Sequence, residues 1–338
     1  MSEIGLARLE RHWQRGKEFL GSEYAILGGA MTWVSERNLV SAISNAGGFG
    51  VIACGGMGPD LLAAEIAATR ELTDKPFGVN LITLHPDLDA LIDVCAEQKV
   101  SHVVLAGGLP SGASIAKIKG FGAKLMCFAP TAALAKKLVR SGVDAIIIEG
   151  AEAGGHIGPV STSVLAQEIL PVITDVPVFV AGGIGRGEVM ASYLEMGASG
   201  AQLGTRFVVA EECVAHENFK KAFVRASARD AVASTQIDSR FPVIPVRALK
   251  NQGTEDFMKT QQEVVAKFRA GEIAQDEGQM MIEHFWGGAL RRAVVDGDVE
   301  TGSVMAGQSV GMVKKIEPTA DIIRELVDQA IAHLDARG

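Results

Sequence analysis

The chain has no Lys/Arg-rich run, and its 32 basic residues are outnumbered by 40 acidic ones, for a net charge of −8. A nucleic-acid surface needs a basic stripe to displace counterions, so that class is excluded. The four cysteines, Cys54, Cys95, Cys127 and Cys213, stand far apart, with no CxxC pair and no Cys/His ligand spacing. They read as reduced core thiols of a cytosolic protein rather than a disulfide framework or metal site. No apolar run reaches membrane-spanning length. The opening residues, MSEIGLARLERHWQRGKEF, lack the apolar centre of a signal peptide. The expected setting is the cytoplasm, without membrane or nucleic-acid partners. Signatures of metalloprotease, serine hydrolase and P-loop chemistry are absent, and no GxGxxG opens the chain. Gly47-Gly-Phe-Gly50 and Gly107-Gly108 are loose look-alikes that read as turns.

What is present is glycine, 39 residues of it in a chain of 338, clustered where short apolar segments end. That placement suits tight strand-to-helix turns and close approach of backbone to a ligand. Hydrophobic residues make up 48% and charged ones 21%, enough for a large core. Eight apolar runs of four to six residues recur: Tyr24–Leu27, Phe49–Ala53, Phe77–Leu81, His102–Ala106, Lys124–Phe128, Ala145–Glu149, Val178–Ala181 and Gly200–Leu203. Continuous runs of this length suit parallel strands buried on both faces. Amphipathic segments such as Pro59–Glu71, Thr131–Ser141 and Gly187–Met196 lie between them. Eight strand–helix units predict a closed α/β architecture, a (β/α)₈ TIM barrel, with a doubly wound open sheet as the competing topology.

Beyond residue 211 the pattern turns helical, with Phe219–Ser227, Thr254–Arg269 and Gln279–Val295 as expected helices and Ser239–Pro245 as an irregular connector. The expected layout is a barrel made of 1–211 with 301–338, and a small helical lobe, 212–300, inserted after the eighth strand. Thr319–Ala336 reads as the closing helix.

Ligands of such barrels bind where the strands end. After the sixth strand, residues 146–158 read IIIEGAEAGGHIG, a loop with four glycines around His156. A histidine at a barrel mouth can transfer protons near neutral pH. After the seventh comes VAGGIG (180–185), and after the eighth AQLGTRF (201–207). Turns at these two ordinal positions commonly form a phosphate cup from backbone N–H groups. Asn80, closing FGVN, can hydrogen-bond a heteroaromatic edge or simply cap a loop. LGGAMTWV (27–34) fits a flat ligand or plain packing, and GSVMAGQ (302–308) is uninterpretable by itself. Lys124 is a weak candidate for an aldolase-type Schiff base. His85, His102, His216 and His284 lack a glycine frame and read as surface or packing residues.

In this order, the segments GVN, EGAEAGGHIG, VAGGIG, GTRFV, VRALKNQ (246–252) and GSVMAGQ resemble the nitronate monooxygenase (2-nitropropane dioxygenase) family, which includes enoyl-acyl carrier protein reductase II. The resemblance runs from about Tyr24 to Gly311 and leans towards the reductase branch. It implies non-covalent FMN, with NADH or NADPH as electron donor. Carried over position by position, it places Ala30, Met31, Thr32 and Asn80 along the isoalloxazine and Glu149 at the ribityl chain. Gly182, Gly183, Gln202, Gly204 and Thr205 would serve the phosphate, while Met305, Gly307 and Gln308 close the flavin. His156 matches the family's catalytic histidine. One departure stands out: the family often shows Gln-Gly-Gly-Met after the first strand, and this chain has Gly28-Gly-Ala-Met31.

The implied activity is reduction of an activated C=C bond in an acyl thioester, with acyl carrier protein as a candidate partner and a homodimer as a candidate assembly. Oxidation of alkyl nitronates with O₂ is the alternative within the family. A quinone reductase, a non-catalytic FMN carrier and a flavin-free barrel enzyme acting on a sugar phosphate also fit parts of the pattern.

Overall fold

In the computed structural model, which describes residues 2–337, the eight apolar runs form eight parallel strands. They span Ile26–Gly28, Gly50–Ala53, Phe77–Ile82, His102–Ala106, Lys124–Phe128, Ala145–Glu149, Val178–Ala181 and Gly200–Leu203. The first strand pairs with the eighth, and the remainder follow in sequence order back to the second. A parallel bridge between Leu27 and Phe49 brings the first strand against the second, so the sheet curls round on itself as a barrel. An open doubly wound sheet is thereby ruled out.

Alternation along the strands fills both sides of the wall. Leu27, Val51, Val104, Met126, Ile147 and Phe179 point inward and form the interior cluster. Their neighbours Ile26, Ile52, Val103, Ile146 and Val180 point outward and join the larger cluster beneath the surrounding helices.

The segment before Tyr24, to which the pattern assigns no role, closes the floor. Glu3–Leu20 is a helix capped by Ser2, whose Oγ accepts from the Gly5 amide, and it stops at Gly21 with φ +70°. It packs along the closing helix Thr319–Asp335 so tightly that a Cβ on Gly5 would lie 2.4 Å from the Ile331 carbonyl oxygen. Trp13 is fully buried, and Leu20 enters the interior cluster. The Phe19 carbonyl is met by His102 Nε2 at 2.9 Å and by the Lys124 ammonium. Lys124 therefore sits at the strands' N-terminal end, spent on a structural bond, and the Schiff-base role falls away. His102 is a packing residue, 4% exposed.

Between 212 and 300 the chain forms the helices Glu217–Arg225, Gln252–Arg269 and Gln275–Phe285. Phe241, Phe257, Val264, Val265 and Ile282 make a small core of their own. The single helix expected over 279–295 is broken after Phe285, where Gly287 and Gly288 (φ +69°) turn the chain. This segment is also less purely helical than its pattern implies. Ala231–Ala233 and Val246–Leu249 are strands, and they pair antiparallel, the second of them with Gly155–His156 from the sixth-strand loop.

Because Trp13 is wholly buried, Trp13→Ala is expected to destabilise the fold by about 3–5 kcal/mol. Urea unfolding checks this, and a loss below about 1 kcal/mol would mean the N-terminal helix is only loosely attached.

Candidate active site

The glycine-bearing turns after the first, sixth, seventh and eighth strands share one rim, the C-terminal end of the strands. The sixth-strand loop and the seventh-strand turn are joined directly, with the Gly150 amide donating to the Ala181 carbonyl at 3.2 Å. Thr162 Oγ1 reaches both the Gly182 carbonyl and the Glu152 carboxylate at 3.0 Å. The Gly29 amide donates to the Leu203 carbonyl at 2.8 Å, which ties the first-strand loop to the eighth. Met31 Sδ lies 3.2 Å from where a Cβ on Gly204 would stand. The returning segment drops into the same rim. Gly307 N–H donates to Thr205 Oγ1 at 3.0 Å, and Gln308 N–H to the Glu152 carbonyl at 2.9 Å. Any side chain at Gly307 would meet that carbonyl at 2.8 Å. These contacts bring together the segments that carry Ala30, Met31, Thr32, Glu149, His156, Gly182, Gly183, Gln202, Gly204, Thr205, Met305, Gly307 and Gln308, while Asn80 is buried in the third strand with its amide on the Val104 carbonyl.

Two consecutive glycines after the seventh strand, Gly182 and Gly183, have φ of +90° and +73°. A Cβ on Gly183 would also press within 3.1 Å of Glu152. The turn they make leaves peptide groups without partners. Among the described residues, the amides of Gly183, Ile184, Gly204 and Thr205 donate to no protein acceptor. Buried or half-buried N–H groups are nearly always paired. Four free donors at the ends of two adjacent strands are therefore the fingerprint of an anion, and they fit the phosphate of FMN. At Gly28, where the family often carries the missing amide side chain, a Cβ would lie 2.5 Å from Ile43 Cδ1, so this chain fills that place with an apolar side chain from the helix Arg37–Asn45.

Electrostatically the mouth is quiet. Glu149 has no hydrogen bond or ion pair among the described residues, and burial pushes its carboxyl up to about 7. Burial also lowers the pKa of His156, favouring the neutral imidazole at pH 7. The His156 residue is nevertheless exposed, in the loop that follows the sixth strand. Its backbone is held from outside the barrel, since His156 pairs with Val246 and Gly155 with Arg247. Arg247 Nε donates to the Ala151 carbonyl at 3.0 Å and its Nη1 to the Ala231 carbonyl at 2.6 Å, clamping the histidine loop to the small sheet. Glu152, Thr162 and Arg247 were not legible as site residues. Each acts through backbone contacts between segments distant in sequence, and only VRALKNQ flagged Arg247 at all.

A family profile described as nitronate monooxygenase matches residues 14–91 and 87–329. The chain is 31% identical to a (3aS,4S,5R,7aS)-5-hydroxy-7a-methyl-1-oxo-octahydro-1H-indene-4-carboxyl-CoA dehydrogenase of Mycobacterium tuberculosis, over 94% of this chain and 96% of the relative. It is 29% identical to a nitronate monooxygenase of Paraburkholderia phytofirmans, over 91% and 92% of the two chains. Among solved structures, FabK from Thermotoga maritima superimposes with a TM-score of 0.86 at 38% identity, covering 96% of this chain and 97% of that one.

The raised pKa of Glu149 has a signature in stability. Its carboxyl prefers the protonated form in the folded chain, so the stability it contributes is complete below about pH 4.5 and is lost as pH rises to about 7. With flavin removed, Glu149→Gln should gain on the wild type across that window, by at most roughly 3 kcal/mol. Urea midpoints measured against pH check this; parallel curves for the two proteins would show that the carboxyl is freely solvated.

Proposed function

The chain belongs to the nitronate monooxygenase family and is an oxidoreductase, and from that premise we propose that it uses FMN and NADH or NADPH to reduce the activated C=C bond of an enoyl thioester. One observation carries the reading: an exposed histidine, whose pKa burial lowers, sits on the sixth-strand loop that is bonded to the turn bearing two of the four free backbone N–H groups. Bound FMN would supply the two-electron chemistry, taking reducing equivalents from the nicotinamide and passing them to the alkene.

The protein's own part is binding, orientation and proton transfer. The amides of Gly183, Ile184, Gly204 and Thr205 would take the phosphate, with Gly182 and Gln202 shaping its approach. Glu149, its carboxyl raised to about 7 by burial, would hydrogen-bond the ribityl chain. Ala30, Met31, Thr32 and Asn80 would line the ring, and Met305, Gly307 and Gln308 would close it from the returning segment. His156 would direct its ring N–H at the oxygen of the enolate that develops at the thioester, then support proton delivery to the α-carbon. The segment 212–300 acts in this reading as the cover of the mouth, and the acyl group arrives on CoA or on an acyl carrier protein. Support for a thioester comes from the carboxyl-CoA named for the 31%-identical relative and from the likeness to FabK.

Nitronate oxidation is the second reading, favoured by the family profile and by the relative from Paraburkholderia phytofirmans. The two separate in an anaerobic titration of the yellow protein. Bleaching by NADH or NADPH, followed by recovery of colour on adding an enoyl thioester, is the expected result. Bleaching by a nitronate and by neither nicotinamide would overturn the proposal in favour of the second reading. His156→Ala should keep FMN bound while slowing turnover by about 10²–10⁴-fold; unchanged turnover in steady-state assays would remove His156 from the chemistry.

A further inference from the structure

Trp33 is one of only two non-glycine residues with positive φ among the described residues, at +68°. That conformation is costly for a bulky side chain, and where it persists the surroundings over-determine it. Here they do. The amides of Val34 and Ser35 both donate to the Met31 carbonyl, at 2.9 and 2.8 Å, and Ser35 Oγ donates to the Gly29 carbonyl at 2.9 Å. The turn so fixed lifts the indole out of the core, leaving it 38% exposed at the mouth. Its floor is Gly56, where a Cβ would lie 3.0 Å from indole Cζ2, and Arg291 of the 212–300 segment stands 5.8 Å from the ring centroid.

From the indole, loop side chains follow one another round this side of the barrel. Gly55 touches Thr32 and Ile82, with a Cβ there 2.8 Å from Thr32 Oγ1 and 3.6 Å from Ile82 Cγ1. A Cβ on Gly107 of the fourth-strand loop would lie 3.0 Å from Ile82 Cγ2, and one on Gly108 2.8 Å from Thr83 Oγ1 and 3.8 Å from Leu84 Cγ. Leu84 and Leu109 are 80% and 55% exposed. Large apolar side chains are thus displayed from the first-, third- and fourth-strand loops, while the free amides and His156 belong to the loops after strands six to eight. The mouth has an apolar half and a polar half, and a thioester whose carbonyl meets His156 has only the apolar half left for its acyl body.

Resting on the thioester reading above, we propose that the arc of Trp33, Leu84 and Leu109 is the subsite for the apolar body of the acyl group, with Trp33 its size-determining wall. Each methylene that leaves water there contributes about fourfold in affinity, so long or bulky acyl groups are favoured over short ones. Arg291, with its guanidinium carbon 5.8 Å from the ring centroid, adds a cation–π contact to the indole.

The test uses the FMN-loaded protein and saturated butyryl- and decanoyl-pantetheine thioesters, with affinity read by calorimetry so that no turnover is needed. Wild type should bind the decanoyl thioester at least tenfold more tightly. Trp33→Asn, which tolerates the left-handed backbone, should cut that preference to about threefold or less and leave butyryl affinity within about twofold. The Leu84→Ser/Leu109→Ser variant changes only exposed side chains and should give the same loss should Trp33→Asn not hold FMN. An undiminished chain-length preference in both variants, an equal loss for both ligands, or no preference in wild type would overturn the subsite. Absence of enoyl-thioester turnover alongside an intact chain-length effect would instead count against the proposed reaction and leave the subsite standing.

Discussion

Four peptide N–H groups without protein acceptors, at Gly183, Ile184, Gly204 and Thr205, set the terms for the rest of the rim. A donor left unpaired in a low-dielectric setting costs on the order of 1–3 kcal/mol, so a cluster of them is suited to an anion that completes the set. The cluster explains the local sequence. Gly182 and Gly183 must take left-handed angles to aim successive amides outward, and Gly183 has no room for a side chain beside Glu152. It also explains why a segment a hundred residues further on returns here. Thr205 offers its hydroxyl to the Gly307 amide, so the last piece of the rim is fastened to the cup itself.

Barrel closure turns this local demand into a site. Once the first strand meets the second through Leu27 and Phe49, every strand-end loop faces the same rim. The histidine loop is then gripped from two sides. Thr162 holds its start to the seventh-strand turn, and the strand Val246–Leu249 pairs with its end. Arg247, bonded to carbonyls of two different segments, makes the second grip rigid. A side chain positioned by both the barrel and the added sheet is better fixed than one on a free loop, which is what proton transfer over hydrogen-bond distances requires.

The barrel strands were legible because burial on both faces writes them as short unbroken apolar runs such as Ala145–Glu149 and Val178–Ala181, almost without error at either end. The rim glycines were legible as a class, since GG pairs at strand ends have few uses other than a turn. What escaped is what has no local pattern. Gly155–His156 is a two-residue strand whose partner lies some ninety positions away, and Ala231–Ala233 is only three residues long. Neither length can show a period. The N-terminal helix carries Leu9, Trp13 and Leu20 at helical spacing, yet its amphipathic face could not reveal that it plugs a barrel floor. Trp33 was read as flat-ligand lining or packing; its positive φ depends on Ser35 and Gly56 and is invisible in composition.

The two titratable groups of the mouth are moved in opposite directions on the pH scale and to the same electrical result. Burial raises the Glu149 carboxyl to about 7 and lowers the His156 imidazole, so in each group burial disfavours the charged form. A charged carboxylate there would repel a phosphate-bearing ligand, and a charged imidazolium would compete for it with the backbone cup. With charge disfavoured on both, the amides of the cup are the polar feature that would draw an anion to the seventh- and eighth-strand side. The imidazole stays free for a reacting oxygen, and the apolar loops on the far side are left for whatever the ligand carries that water rejects. The order of the strands therefore fixes not only where a ligand binds but which way round it lies.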